Sequence, residues 1–218
     1  MEPYYAQLKD DFQEEERFYA EAYKSSDWTY LKDASELFLI HAYSHLFLGS
    51  ENGYEILGNA DYRRKYGQFY LNLAIGLELL LKAIMLKQEM AINKPLKNKA
   101  GIQLNTGETL SFRKIIEKSL NDILSNLDEM TIEEIKYTLR LVNLRRNNIA
   151  HSSKKSYDSY LHEYRISYVT LYIFEEFFCG DNLELTELLL KSINRSKVTN
   201  GTNFKQINVI PRSLRANN

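Results

Sequence analysis

Cysteine and proline are nearly absent from this sequence of 218 residues, which contains one cysteine and three prolines. The single cysteine, Cys179, excludes a disulfide within the chain, and a reducing compartment fits best. Few prolines leave long segments without the residue that most strongly breaks helices. Cys179 lies in the apolar run FEEFFCG, which predicts a small buried side chain, with a reactive thiol as the alternative.

The sequence also lacks a strong net charge and an uninterrupted apolar run. Its 28 basic and 29 acidic residues give a formal net charge of −1, whereas general nucleic-acid binders are usually strongly basic. The longest apolar segment, LNLAIGLELLLKAIML, contains Glu78 and Lys82 and so predicts a core helix rather than a membrane span. The acidic N-terminus has no apolar core and predicts no signal peptide. We therefore expect a soluble, cytoplasmic protein that does not contact a membrane.

The charges are unevenly distributed along the chain. Acidic residues crowd residues 10–21, whereas none occurs at 135–157 or after Glu187. The basic residues of these two acid-free zones are Lys136, Arg140, Arg145, Arg146, Lys154, Lys155, Lys191, Arg195, Lys197, Lys205, Arg212 and Arg215. Local basic zones of this kind can attract a polyanion even though the whole chain is nearly neutral.

Apolar periodicity predicts a chain built almost entirely of helices. The predicted helices cover about residues 4–24, 30–49, 61–88, 110–127, 131–151, 157–178 and 183–194. Thr131 and Glu134 form a capping box that predicts the start of the fifth helix, and Gly180 ends the sixth. Residues 91–108 lack periodicity and predict a loop.

These segments predict an all-α fold, an up-and-down helical bundle with extra N-terminal helices and an irregular C-terminal tail. One domain covers residues 1–218. It consists of an N-terminal helical extension at 1–58, a bundle core at 59–180, and a short helix with a basic tail at 181–218. The Asn-Gly pair at 200–201 hints at a hairpin turn in that tail.

The fifth predicted helix carries an arginine where apolar packing is expected. Its apolar stripe passes through Ile135, Leu139 and Val142, and the next position on that stripe is Arg146, while Arg145 falls on a different face. An arginine among apolar neighbours must extend to solvent, pair with a carboxylate, or meet an anionic ligand or a partner chain. The simplest of these outcomes is extension of the side chain to solvent at the helix end, where a cation also interacts favourably with the helix dipole.

His151 follows Arg146 by five residues. On an ideal helix this spacing turns the second side chain by about 140°, so the two side chains diverge. They converge only if the helix loosens at its end, or if two copies of the helix meet across a dimer. We therefore interpret residues 144–153 (LRRNNIAHSS) as half of a functional site that a second copy of the chain completes.

Arg146, then Asn147, with four residues between the arginine and His151, resembles the signature of the HEPN superfamily. These small helical domains occur in bacterial toxins, phage-defence proteins and CRISPR-associated ribonucleases. The segment AIGLELLLKAIML is similar to the long first core helix of that family, and TLSFRKIIEK resembles the start of its second helix. The similarity covers roughly residues 60–180, and it implies a bundle of HEPN type.

The resemblance implies metal-independent cleavage of RNA at a composite site in a homodimer, without a cofactor. His151 would take the proton of the ribose 2′-OH, Arg146 would stabilise charge on the phosphate, and Asn147 would orient either group. Arg145 is the second choice for the arginine role. The residues expected to bind substrate are Arg145, Ser152, Lys154 and Lys155. DNA lacks the 2′-OH and is not expected to be cut by this route.

The implied partners are RNA, a second copy of the chain, and an antitoxin or another defence-system protein. Family members that pair with a nucleotidyltransferase antitoxin carry a tyrosine two residues after the histidine, where this chain has Ser153. Silencing through that tyrosine is therefore not expected here. The alternative function is a non-catalytic HEPN-like module that binds a nucleotide or a protein, which the near-neutral charge favours.

Three other groups of residues leave alternatives open. His41 and His45 lie four apart, which suits either a metal ion or packing in a helix groove. The tyrosine-rich sixth helix can offer rings for base stacking, although its helical spacing favours core and interface positions. Glu78 can pair with Lys82 on its own helix or with Arg146 across the bundle.

Overall fold

The computed structural model describes residues 28–47, 59–97, 103–151, 160–200 and 209–215. Within these ranges the chain is mostly helical, which confirms the all-α class. The elements are α1 (Trp28–Phe47), α2 (Asn59–Lys87), β1 (Asn93–Lys97), β2 (Gln103–Thr109), α3 (Phe112–Lys118), α4 (Leu120–Ile123), α5 (Glu129–His151), α6 (Tyr160–Phe178), α7 (Leu183–Asn200) and α8 (Arg212–Arg215). The predicted first helix, at residues 4–24, lies outside the described residues.

The long helices form a closed ring of neighbours. α1 packs on α2, α2 on α5, α5 on α6, α6 on α7, and α7 returns to α1. The Ser35 hydroxyl of α1 donates a hydrogen bond of 2.9 Å to the Gly76 carbonyl of α2. A Cβ at Gly76 would lie only 2.8 Å from the Leu39 side chain, so glycine permits this close approach. α1 and α7 therefore contribute to one hydrophobic core with α2, α5 and α6.

α2 is the central apolar element of this core. Among the described residues it is the one helix long and apolar enough to cross a membrane by composition, and 67% of its apolar window is buried inside the protein. Lys82 of α2 donates to the Glu78 carboxylate at 2.7 Å and to the Thr109 hydroxyl at 2.9 Å. Of the two partners considered for Glu78, the structure shows Lys82, which also ties the end of β2 to α2.

Two local predictions between α2 and α5 are wrong. Residues 91–108, expected as a loop, contain the antiparallel pair β1–β2, with Leu96 opposite Leu104. Apart from Leu96 and Leu104 the strands NKPLK and QLNTGET hold polar residues, Pro95 and Gly107, so they show no apolar alternation to detect. The fourth predicted helix is interrupted at Ser119, which separates α3 from α4. Both pieces keep their apolar residues buried, so periodicity alone does not reveal the break.

α5 begins earlier than the predicted capping box requires. The helix starts at Glu129, and Asp128 caps it. Its carboxylate accepts the Thr131 backbone N–H at 3.0 Å and the Thr131 hydroxyl at 2.6 Å. Thr131 is thus the third helical residue and donates to the cap instead of acting as one. The predicted capping residue is wrong because Asp128, three residues before Thr131, is also of a type that caps helices and accepts the N–H of Thr131.

Replacing Asp128 with alanine is expected to lower the urea concentration at which the protein is half unfolded. The Thr131 hydroxyl and backbone N–H hold the pKa of Asp128 below its ordinary value. This stabilisation is therefore present above the pKa of unfolded aspartate, about 3.9, and is lost as the pH falls through the lower native pKa. The difference in midpoint between wild type and Asp128→Ala should be larger at neutral pH than in acid, where the protonated carboxyl is a weaker acceptor. Asp128→Asn, which still accepts the backbone N–H, is the control; a difference independent of pH would contradict this role.

The end of α6 and the C-terminal segment also differ in part from expectation. Cys179 and Gly180 both have positive φ angles, of 61° and 64°, and end the helix, which confirms Gly180 as its stop. Cys179 is exposed, so its predicted burial is wrong, because the turn directs it away from the core.

α7 extends to Asn200 instead of ending near 194, and Gly201 lies outside the described residues. In the predicted irregular tail, the Ser213 backbone N–H donates to the Glu175 carboxylate at 3.2 and 3.3 Å, which docks α8 on α6.

Candidate functional site

The predicted motif residues lie on the last two turns of α5. Arg145, Arg146, Asn147 and His151 all have helical backbone, so the helix does not loosen before His151. For His151 the structure describes the helical position only, and Ser152, Lys154 and Lys155 lie outside the described residues. Because the helix is regular, the positions of Arg146 and His151 in one chain differ by about 140° around the helix axis.

Arg145, rather than Arg146, is the buried arginine. Arg145 is 8% exposed and Arg146 is half-buried, while Asn147 is exposed. The prediction that Arg146 alone interrupts the buried face is wrong. α5 packs against α2, α3 and α6, so its buried surface is wider than one stripe. This surface includes Thr138, which lies seven residues before Arg145 on the same face of the helix.

A second apolar stripe runs along the exposed side of α5. Met130, Tyr137 and Leu144 are 65%, 62% and 56% exposed and follow one another at intervals of seven residues. Seven residues are close to two helical turns, so these side chains share one face. His151 occupies the next position of this series. Sequence reasoning missed this stripe, although its seven-residue spacing is visible in the sequence, because apolar residues at helical spacing predict burial.

One end of the bundle, which we call the motif end, gathers five helix termini. The Ile149 side chain lies 3.7 Å from where a Cβ of Gly67 would stand, so the end of α5 adjoins the first half of α2. The end of α1 reaches α7, because the Lys191 ammonium lies 4.6 Å from the centre of the Phe47 ring. The Ser192 hydroxyl of α7 donates to the Glu163 carboxylate of α6 at 3.3 Å. The ends of α1, α5 and α7 and the starts of α2 and α6 therefore meet here.

Basic residues occur on several of the helix ends that meet at the motif end. By helix and position they are Arg63, Arg64 and Lys65 of α2, Arg145 and Arg146 of α5, and Lys191 and Arg195 of α7, while Asp61 of α2 and Glu163 of α6 are acidic residues of the same end. At the opposite end, Glu133, Glu176 and Asp181 pair with Lys136, Arg212 and Lys32. Local basic residues of this kind can attract a polyanion.

A buried polar network supports the motif end from inside. The Tyr43 hydroxyl donates to the Ser167 hydroxyl at 3.0 Å, and Ser167 lies 2.8 Å from the Ser192 hydroxyl. Ser192 in turn reaches the buried carboxylate of Glu163. Burial raises the pKa of the Tyr43 hydroxyl, so it stays protonated at neutral pH. These bonds join α1, α6 and α7 and fix the position of the α6 start beside the motif.

The tyrosines of α6 belong to the packed interior. Tyr164, Tyr168 and Tyr172 are buried, and the rings of Tyr164 and Tyr168 lie 5.5 Å apart. Burial raises the pKa of Tyr168 to about 12. The core positions favoured by their spacing are confirmed for these three residues, and their rings are not open for stacking by bases.

The two histidines of α1 have different surroundings. His41 is exposed and His45 is half-buried. Among the residues that the structure describes, no three His, Cys, Asp or Glu side chains cluster in a way that could hold a metal ion.

No protein-family model, curated protein or solved structure matches this chain. The chemistry available at the motif end is that of its own residue types. A guanidinium group offers paired donors to phosphate oxygens, amide side chains orient neighbouring groups, and a histidine exchanges a proton near neutral pH.

Proposed function

We propose that this protein is a metal-independent endoribonuclease of HEPN type, with a role as a toxin or in phage defence. The observation that carries the proposal is the position of the motif. Arg146 and Asn147 lie on the last turns of a helix whose exposed apolar stripe ends at the position of His151. Two copies that meet near Leu144, at the C-terminal end of this stripe, would bring two motifs together.

In the proposed reaction, His151 acts as the general base. It takes the proton of a ribose 2′-OH, and the resulting oxygen attacks the adjacent phosphorus. The bond from phosphorus to the 5′-oxygen breaks, and that oxygen takes a proton from the second protomer's imidazolium or from water. Arg146 holds the phosphate oxygens and stabilises the charge that develops on them. The products carry a 2′,3′-cyclic phosphate and a 5′-hydroxyl.

The charges on the exposed face of α5 favour contact near its C-terminal end. Glu133 and Arg140 are both exposed, so parallel pairing along the whole helix would place each beside its own copy. Like charges brought together in this way oppose association. Between Arg140 and Ile149, the last residue of α5 whose side chain the structure describes, the exposed positions are Leu144, Asn147 and Asn148, which carry no charge. With a two-fold axis beside Leu144, the apolar and amide side chains of two copies would contact each other. Each site would then contain residues from both copies.

Cleavage of single-stranded RNA in EDTA tests this function. We expect the purified full chain to cut RNA without a divalent cation and to leave 2′,3′-cyclic phosphate and 5′-hydroxyl ends, which end-group analysis detects. DNA of the same sequence should stay intact, because it has no attacking 2′-OH. A strict requirement for magnesium, or equal cleavage of DNA, would rule out this mechanism.

The second candidate is a non-catalytic module that binds a nucleotide or a protein partner, such as an antitoxin or another defence protein. The net charge of −1 favours it, because dedicated RNA binders are usually more basic. The exposed Met130 and Tyr137, which the contact near Leu144 leaves uncovered, suit such a partner. Under this alternative the protein binds its ligand and leaves RNA uncut in every ionic condition. We propose a cytoplasmic location for either function.

A further inference from the structure

We propose that residues 209–215, which we call the strap, are a detachable segment seated in a peptide-binding groove on α6. The groove would accept the same peptide when it is supplied as a separate molecule. Its ligand class is therefore a short segment with apolar side chains, an arginine and one backbone N–H in the right place. This inference goes beyond the proposed function, because it involves neither RNA nor the motif on α5.

The strap contacts the rest of the protein through apolar side chains. Val209 and Pro211 are buried, and Leu214 packs against the hydrophobic core. The helical turn of the strap, α8, has no buried residue of its own. A helix of four residues is far too short to be stable without tertiary contacts. The strap therefore depends on the groove for its helical turn and should lose that turn when it is released.

One carboxylate of α6 accepts a hydrogen bond from the strap backbone. The Ser213 N–H donates to both oxygens of Glu175, at 3.2 and 3.3 Å. Both distances exceed the value of about 2.9–3.0 Å that is most common for such bonds, because one N–H is shared between two acceptors. Glu175 is 4% exposed, so the docked state also keeps water from its charge. The contact fixes the position of the strap but leaves the carboxylate incompletely hydrogen-bonded.

Two buried hydroxyl groups lie beside this contact. Among the described residues, Ser213 Oγ and Thr186 Oγ1 find no hydrogen-bond partner. Thr186 Oγ1 and the Glu175 Oε1 atom lie 3.9 and 4.0 Å from where a Cβ of Gly180 would stand. A buried hydroxyl without a partner opposes the state that buries it, because it has lost its hydrogen bonds to water. Release of the strap returns water to the Ser213 hydroxyl and to Glu175, which favours a reversible contact.

The arginine of the strap lies at the edge of the groove. Arg212 is exposed, and its guanidinium lies 3.6 Å from the Glu176 carboxylate and 4.0 Å from the Cys179 sulfur. Exposed ion pairs of this kind contribute little to stability. The apolar side chains and the Ser213 N–H therefore carry the recognition, and Arg212 favours one orientation of the strap.

Hydrogen exchange of the full chain, followed residue by residue at low urea concentrations, tests whether the strap detaches. The reporter is the Ser213 amide, whose hydrogen is bonded to Glu175. We expect it to exchange through a local opening that does not depend on urea, whereas amides in the middle of α6 exchange only when the protein unfolds. Exchange of both through one urea-dependent opening would make the strap an inseparable part of the fold and overturn the inference.

Binding of a labelled peptide with the sequence of residues 209–215 tests the groove. The receptors are the full wild-type chain and the full chain with Leu214→Glu, a change that removes an apolar contact of its own strap. Fluorescence anisotropy should show binding to Leu214→Glu and at least about tenfold weaker binding to the wild type, because a tethered strap competes at high local concentration. Circular dichroism should show the same helix content in both chains outside the strap. No binding to Leu214→Glu, or equal binding to both chains, would contradict the groove.

Matched variants identify the contact that the peptide makes. A Ser213→Pro peptide lacks the N–H that Glu175 accepts, and it should bind about tenfold more weakly, since a hydrogen bond to a charged group contributes about this factor. Adding Glu175→Ala to the Leu214→Glu chain should cause a similar loss. Adding Asp122→Ala, which removes an exposed carboxylate of α4, should cause none. Equal losses from Glu175→Ala and Asp122→Ala would reduce the binding to general attraction of a basic peptide and overturn the site. RNA cleavage enters none of these measurements, so failure of the nuclease and failure of the strap are separate results.

Discussion

His151→Ala is expected to cut RNA roughly 10²- to 10⁴-fold more slowly than the wild type, because a positioned general base contributes about this factor. The loss should appear in the rate under saturating RNA, since His151 acts on the 2′-OH during the reaction. A wild-type rate that changes with pH around the ordinary histidine pKa, about 6.5, should lose that dependence in the variant. Single-turnover cleavage across this pH range measures both effects.

His41→Ala is the matched control for this experiment. His41 is an exposed histidine of α1, away from the motif on α5. It should cut RNA at the wild-type rate, and both variants should unfold at the same temperature as the wild type. Wild-type cleavage by His151→Ala would remove the histidine from the mechanism.

Leu144→Glu is expected to separate the dimer and to lower cleavage about as much as His151→Ala does. Leu144 is an exposed apolar side chain on the same face of α5 as the position of His151. Near a two-fold axis, the new carboxylate would face its own copy and oppose association. Because each composite site needs two protomers, loss of the dimer removes activity although the motif is intact. Light scattering after size-exclusion chromatography measures the mass, and RNA cleavage measures the activity.

Leu183→Glu is the control for this change. Leu183 is 75% exposed at the start of α7, at the end of the bundle opposite the motif, and its replacement should leave both mass and activity as in the wild type. A Leu144→Glu protein that stays dimeric and active would exclude the contact near Leu144.

Cysteine cross-linking in a Cys179→Ser background tests the orientation of the two helices. Leu144→Cys alone should form a linked dimer if the C-terminal halves of α5 meet. Linking only between Met130→Cys and Leu144→Cys chains would indicate antiparallel helices, with Glu134 of one copy facing Arg140 of the other. The two His151 positions would then lie roughly 40 Å apart, from 1.5 Å of rise per residue, and a composite site would be excluded.

Much of the helical fold could be predicted from periodicity. α1, α2 and the end of α6 lie within a few residues of their expected positions, because each has a long apolar face and a clear stop. The start of α5, the break at Ser119 and the β1–β2 pair could not be predicted in this way. They depend on one capping carboxylate, on a bend that keeps both sides buried, and on backbone pairing, none of which changes the apolar pattern.

By itself, the sequence determined that the chain has no internal disulfide, that its described part is mainly helical, and that two arginines, an asparagine and a histidine end one helix. Only the tertiary structure decided that Arg145 is the buried arginine, that Leu144 is exposed on the face of the His151 position, and that the ends of α1, α5 and α7 meet the starts of α2 and α6. The physical reason is that helical periodicity specifies which residues share a face. Which neighbour covers that face, and which ends lie together, follows from packing among distant segments of the chain.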